Sequence, residues 1–126
     1  MTTDIPSENL LPRFVILHHL SPVGEHWDVM LEMDSALATW SIPPQHPAGN
    51  SFTCTATRLP DHRKDYLEYE GEISGNRGTV TRVSSGTYEQ LSPEQFFLHS
   101  DPSSPFASSP FSGVLTIAGD RMTFER

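Results

Sequence analysis

The sequence predicts a mainly β protein, either a barrel or a sandwich. Three observations carry that expectation. Apolar residues recur with a period of two in several short segments, Gly and Pro punctuate those segments, and no long stretch has a 3.6-residue apolar repeat. The 126 residues fit one domain, expected over 13–126 behind a loose polar tail at 1–12.

The first strand is expected at 13–19, where Phe14, Val15, Ile16 and Leu17 are strong β formers. Ser21-Pro22-Val23-Gly24 has turn chemistry. In the next run, 26–33, Trp27, Val29, Leu31 and Met33 alternate with His26, Asp28, Met30 and Glu32. The first set is expected to face a core and the second to carry polar groups. A strand over 37–42 is stopped by Pro43-Pro44, and 45–50 reads as loop. Residues 51–59 alternate again, and 60–66 form a charged loop or a short helical turn. A brief strand near 69–73, a β-turn at Gly75-Asn76-Arg77-Gly78, and strands at 79–83 and around 86–89 follow. Ser92-Pro93-Glu94-Gln95 has the chemistry of a helix N-terminus, while Phe96-Phe97-Leu98 fits helix or strand. Residues 100–112, dominated by Ser and Pro, are expected to form a flexible loop, and 114–124 a closing hairpin.

The single cysteine, Cys54, excludes an intrachain disulfide and reads as a small core residue. No signal pattern opens the chain and no apolar run approaches a membrane span, so a cytoplasmic location is expected. The formal net charge of −8 argues against non-specific duplex binding, which depends on Lys and Arg neutralising phosphates. Phosphate chemistry stays open, because a bound divalent ion reverses the local field.

Of the six histidines, His19 and His26, with Asp28, form the strongest constellation. His26 and Asp28 share a strand face, and a turn after His19 would return the first strand beside the second. Two imidazoles and a carboxylate suit Mn²⁺, Zn²⁺ or Fe²⁺ and leave positions for water or substrate. The same H-x-D spacing is also common on a solvated strand face. His18 is expected to point the other way, and His46 and His99 have no evident partner. A second cluster holds His62 and Tyr66, four residues apart, with Arg58 just upstream. One helical turn would bring the imidazole and phenol together as phosphate donors or as an acid–base pair. A charged surface loop is the alternative. Trp27 and Trp40 are expected in the core.

The segment Phe14-Val15-Ile16, His19, His26-Trp27-Asp28 and Leu31-Glu32-Met33-Asp34 resembles the opening of the 3′-phosphoesterase domain of DNA ligase D, F-V-V-Q-K-H then H-Y-D-F-R-L-E-M-D. Residues 37–43 resemble its L-K-S-W-A-V-P, and Asp61-His62, Asp65-Tyr66 and Glu70-Gly71 its D-H-P-L-D-Y-x-x-F-E-G. Gly78-Thr79-Val80 and Gly86-Thr87-Tyr88-Glu89 resemble its G-T-V and G-T-W-E. The resemblance implies a compact antiparallel β-barrel with short flanking helices. It implies a divalent metal, typically manganese, on His19, His26 and Asp28, with His62 and Tyr66 lining a scissile phosphate. The implied activity is removal of a 3′-terminal ribonucleoside and then a 3′-phosphate from nucleic-acid ends.

The chain departs from the pattern at Met30, Leu17 and Cys54, which stand where the family has arginine, glutamine and arginine. The spacer between His19 and His26 is one residue longer. Arg58 is the first candidate to replace the missing phosphate grip, with Arg63 and Arg77 behind it. Three expectations follow: a metal-dependent phosphoesterase in DNA repair, a catalytically weakened metal-bearing module that binds a repair partner, or a structural β-barrel. With no polymerase or ligase segment in these residues, partners are expected in trans.

Overall fold

The computed structural model describes residues 11–101 and 111–126. The expected tail at 1–12 and the loop at 100–112 therefore lie mostly outside the described residues. At the loop's ends, Ser100 closes a strand and Phe111 is buried in the core.

Strands β1 (Arg13–Ser21) and β2 (Gly24–Glu32) form an antiparallel hairpin. Ser21 faces Gly24 across Pro22 and Val23. The Ser21 hydroxyl donates to the Gly24 carbonyl at 3.1 Å and accepts the Val23 N–H at 3.3 Å, which pins the turn. β3 (Leu37–Ile42) pairs with β2 and ends before Pro43. β4 (Phe52–Thr55) and β5 (Thr57–His62) follow, then a 3-10 turn at Lys64–Leu67 and the short β6 (Gly71–Glu72). The two strands expected at 79–83 and 86–89 are one, β7 (Thr79–Gln90). β8 (Gln95–Ser100), β9 (Gly113–Ala118) and β10 (Arg121–Glu125) complete the chain.

All ladders are antiparallel, in the order β4-β10-β9-β8-β7-β1-β2-β3-β5, with β6 paired to β7 off this path. The mainly β expectation holds, but the barrel does not: no ladder joins β4 to β5, and the sheet is open. The two edge strands are one continuous segment. β4 bonds to β10, β5 bonds to β3, and the chain crosses between the edges at the buried Ala56. A segment that changes partner at one residue brings the edges together through its backbone and has no second strand with which to close the ladder. The Ala56 N–H leaves this path and donates to the Asp120 carbonyl at 2.7 Å.

The expected flanking helices reduce to the 3-10 turn among the described residues. At 92–95 the Ser-Pro chemistry makes a tight turn from β7 into β8, with the Leu91 N–H donating to the Gln95 carbonyl at 2.8 Å. Phe96 and Leu98 then bury while Gln95 and His99 stay exposed, a period of two that selects strand over helix.

Two apolar clusters lie on opposite faces of the sheet. The larger gathers Phe14, Trp27, Leu31, Leu98, Leu115 and Phe124 with their neighbours, and Trp40 and Cys54 pack at its margin. The smaller gathers Val15, Leu17, Met30, Leu37, Leu67 and Val80, covered by Tyr66 and Ile73. Met30 was expected on a polar face. It is buried because the 3-10 turn lies over that face, held by Lys64 on Glu32 at 3.4 Å and on the Asp34 carbonyl at 2.8 Å. Met33, expected in the core, is exposed instead. Among the described residues no helix is long and apolar enough to cross a membrane.

The turn between β6 and β7 has positive φ at Gly75, Asn76 and Gly78, as its composition predicts. Gly78 also passes close to β1: a Cβ there would stand 2.0 Å from the Leu20 carbonyl oxygen. Gly119, at φ +61°, has open space around it. Gly78→Ala is expected to destabilise by at least about 2 kcal/mol and Gly119→Ala by only about 1 kcal/mol. Urea unfolding midpoints of the two variants measure the difference, and equal values would remove the close approach as its cause.

Candidate metal centre

The hairpin register brings the predicted triad together. His19 sits directly across from His26, and Asp28 lies across from Leu17, two residues along from His19. By strand alternation His19, His26 and Asp28 all project from the face that carries Met30 and Leu17. One donor atom from each lies within 4.8 Å of the others. His26 Nε2 approaches Asp28 Oδ1 at 2.9 Å, and His19 Nδ1 approaches Asp28 Oδ2 at 3.6 Å. The two imidazoles meet edge to face, 4.7 Å between centroids.

The hydrogen bonds define which atoms are available. His19 Nε2 lies 2.7 Å from the Arg77 carbonyl, which can only accept, so Nε2 carries the proton. In the neutral ring Nδ1 then presents a lone pair toward the Asp28 carboxylate. A lone pair and a carboxylate facing one another leave room for a cation between them. Asp28 is 3% exposed, and despite the close His26 nitrogen its Oδ1 has no partner with hydrogen-bond geometry. A buried, unsatisfied anionic oxygen beside two imidazole nitrogens fits a divalent ion. The backbone carbonyl behind His19 is the kind of support that orients a ligating imidazole.

Burial pushes the Asp28 carboxyl above the ordinary carboxylate range, and His26, His19 and His62 oppose that rise. The same burial argument raises the Cys54 thiol, which lies on β4 opposite Met122 and lines no part of this site.

His19 and Asp28 open into a cleft of about 400 Å³. His62 and Tyr66 line it too, so the second predicted cluster faces the first. Their rings meet edge to face at 5.6 Å. His62 closes β5 and Tyr66 lies in the 3-10 turn that begins two residues later. His62 Nδ1 donates to the Pro60 carbonyl at 2.9 Å, which leaves Nε2 uncommitted.

Arg58 is placed elsewhere. Its guanidinium lies over Trp40, 4.8 Å from the ring centroid, pairs with Asp61 at 2.9 Å, and donates to the Thr39 and Leu59 carbonyls. It does not line the cleft, whereas Arg63 and Arg77 do, beside Met30, Ile73 and Val80. His18 pairs with Glu25 at 2.6 Å, His99 with Glu89 at 2.7 Å, and His46 packs on Trp27. The sequence reading missed the Arg77 carbonyl as a support for His19. Its signal was the Gly78 that follows, a residue without a Cβ where the turn meets β1.

The fold and centre define an open antiparallel β protein with a two-histidine, one-carboxylate metal-type site beside a histidine–tyrosine pair. A family model described as the DNA ligase D 3′-phosphoesterase domain matches residues 17–123. The multifunctional non-homologous end joining proteins LigD of Mycobacterium bovis and Mycobacterium tuberculosis are each 35% identical over 92 residues, covering 71% of this chain and 11% of theirs. LigD of Mycolicibacterium smegmatis is 32% identical over 90 residues, 68% of this chain and 12% of its own. The chain belongs to the DNA ligase D 3′-phosphoesterase domain family, and it spans about a tenth of the length of these curated relatives.

The raised Asp28 value has a sign. The folded carboxyl binds a proton more readily than the unfolded one, so the metal-free site favours folding below the unfolded value and loses that contribution as pH rises through the folded value. A divalent ion must displace that proton. The stabilising shift from added Mn²⁺ or Zn²⁺ is therefore expected to grow as pH rises above the ordinary carboxylate range, as the proton on Asp28 competes less with the ion. Asp28→Asn is expected to abolish most of it. Thermal melts with and without metal at each pH measure this, and an Asp28→Asn protein with an unchanged metal shift would exclude the triad.

Proposed function

We propose that this chain is a divalent-metal-dependent phosphoesterase acting on nucleic-acid 3′ ends in DNA repair. On this reading it removes a 3′-terminal ribonucleoside or a 3′-phosphate, and its partners are the end itself and repair proteins working on the same ends. One observation carries the reading: His62 and Tyr66 line the same cleft as His19 and Asp28 of the triad.

His19 Nδ1, His26 Nε2 and the Asp28 carboxylate would hold the ion, for which manganese is proposed and zinc is the alternative. Such an ion, when bound, supplies positive charge to the phosphoryl oxygens. The uncommitted His62 Nε2 takes or gives a proton at the leaving or attacking oxygen. The Tyr66 hydroxyl donates to a phosphoryl oxygen, where charge builds in the transition state. Met30, Ile73 and Val80 give the cleft apolar sides.

Met30 also supports a second reading, a metal-bearing module that binds a repair partner without turnover. Its thioether is 1% exposed and places no donor on the phosphate.

The test is a manganese-dependent assay on primer-templates ending in a ribonucleotide or a 3′-phosphate. Release of the terminal group is expected with metal and is lost with a chelator. His26→Ala is expected to remove it with the metal, and His62→Ala to lower it by about 10²-fold or more while the metal-induced thermal shift persists. Purified protein that binds the ion and releases nothing would leave the binding-module reading.

A further inference from the structure

We propose that Arg63 and Arg77 grip the terminal phosphate in this cleft and that Arg58 does not. The inference rests on the phosphoesterase reading and names the cationic side chains of that site. Among the residues lining the cleft, Arg63 and Arg77 are its arginines, and no lysine joins them. Met30 closes the opposite possibility, an anion grip from β2, with an apolar and buried side chain.

The two guanidiniums are differently prepared. Arg77 is fixed to the metal centre through its own backbone, because its carbonyl accepts His19 Nε2. Its side chain is braced at one end: Nε donates to the Ser74 carbonyl at 2.7 Å and Nη2 reaches the Ser74 hydroxyl at 3.3 Å. Nη1 is left for a ligand. Arg63 stands at the start of the 3-10 turn, where its carbonyl accepts the Tyr66 N–H at 3.1 Å. Its exposed guanidinium makes no hydrogen bond or ion pair among the described residues, so it is free for an anion. A planar fork with uncommitted N–H groups matches phosphate oxygens.

The acidic groups around the cleft decide how much phosphate it takes. Asp61 lines the cleft, but its carboxylate is paired with Arg58, so Arg58 keeps that negative charge from opposing a substrate. A neighbouring groove of about 320 Å³ shares Arg63, Tyr66 and Arg77 with the cleft and also carries Asp65 and Glu72. With an ion held by the triad and Asp61 paired to Arg58, the cleft side would carry the excess of positive charge. The arrangement recognises one terminal phosphate rather than a run of backbone phosphates, in keeping with a net charge of −8.

The test is binding of the manganese-loaded protein to a single-stranded oligonucleotide ending in a 3′-phosphonomethyl group, whose C–P bond resists hydrolysis, against its 3′-hydroxyl counterpart. The wild type is expected to prefer the phosphonate. Arg63→Gln and Arg77→Gln are each expected to weaken that binding about tenfold, the loss of one charge-assisted contact, with the Arg58→Gln/Asp61→Asn double variant, which removes both members of the ion pair, within about twofold of wild type. Arg63→Lys and Arg77→Lys are expected to recover part of the loss, and the metal-induced thermal shift is expected to persist in all. Glutamine variants at 63 and 77 that keep full preference, or an Arg58→Gln/Asp61→Asn protein that loses it, would overturn the assignment alone. An Arg77→Gln protein that loses its metal shift would overturn the role of Arg77 by showing that it acts through His19. A wild type with no preference for the phosphonate would remove the phosphoesterase reading, and this inference with it.

Discussion

The site depends on the register of the β1–β2 hairpin. Ser21 and Gly24 fix a two-residue connection, and from that point every cross-strand pair is determined. His19 meets His26, and the carboxylate two residues further along β2 falls on the same face. A slip of one residue would turn His19 to the opposite face relative to Asp28, because side chains alternate with a strict period of two. The register is held from both sides. Phe14, Ile16, Trp27, Val29 and Leu31 fill the larger cluster, while Val15, Leu17 and Met30 fill the smaller. Burying both faces of these two strands removes any register that would satisfy only one.

The same reasoning explains which features were legible in the sequence. The triad was legible because it needs only local rules: two β-forming runs, a Ser-Pro-Val-Gly turn and alternation. The His62–Tyr66 pair was legible because the two are only four residues apart, although a strand end and a 3-10 turn bring them together and not the helical turn expected. The resemblance to a known family had to supply the idea that these two clusters meet, since Asp28 and His62 lie 34 positions apart and nothing local relates them. Met30 was misplaced because alternation distinguishes two faces without saying what covers each. Here the 3-10 turn covers the second face and makes it apolar. The barrel was misjudged for a related reason. Strand pattern shows how many strands exist, whereas closure depends on whether the last edge finds a free partner, and the 52–62 segment occupies both edges at once.

Arg58 illustrates a different limit. Its charge and its position upstream of His62 made it a natural phosphate ligand in the sequence. In the folded chain it pairs across the ladder with Trp40, and its guanidinium lies over that ring and against Asp61. An exposed arginine with an aromatic face and a carboxylate both in reach is already well partnered. Candidate ligands in a sequence are therefore better ranked by what their strand neighbours offer them than by their charge.

The turn between β6 and β7 connects the remaining parts. Gly78 lets the chain pass against the Leu20 backbone, closer than any side-chain-bearing residue allows. That approach places the Arg77 carbonyl on His19 Nε2, and the carbonyl selects the tautomer whose Nδ1 faces Asp28. The buried Asp28 Oδ1 has no hydrogen-bond partner of its own and lies beside both imidazoles. The metal-type centre is thus assembled from a local hairpin and a single long-range contact, made across 58 residues by a backbone atom. Because a backbone carbonyl makes that contact, the identity of the side chain at position 77 is free to serve the cleft, and the chain carries a guanidinium there.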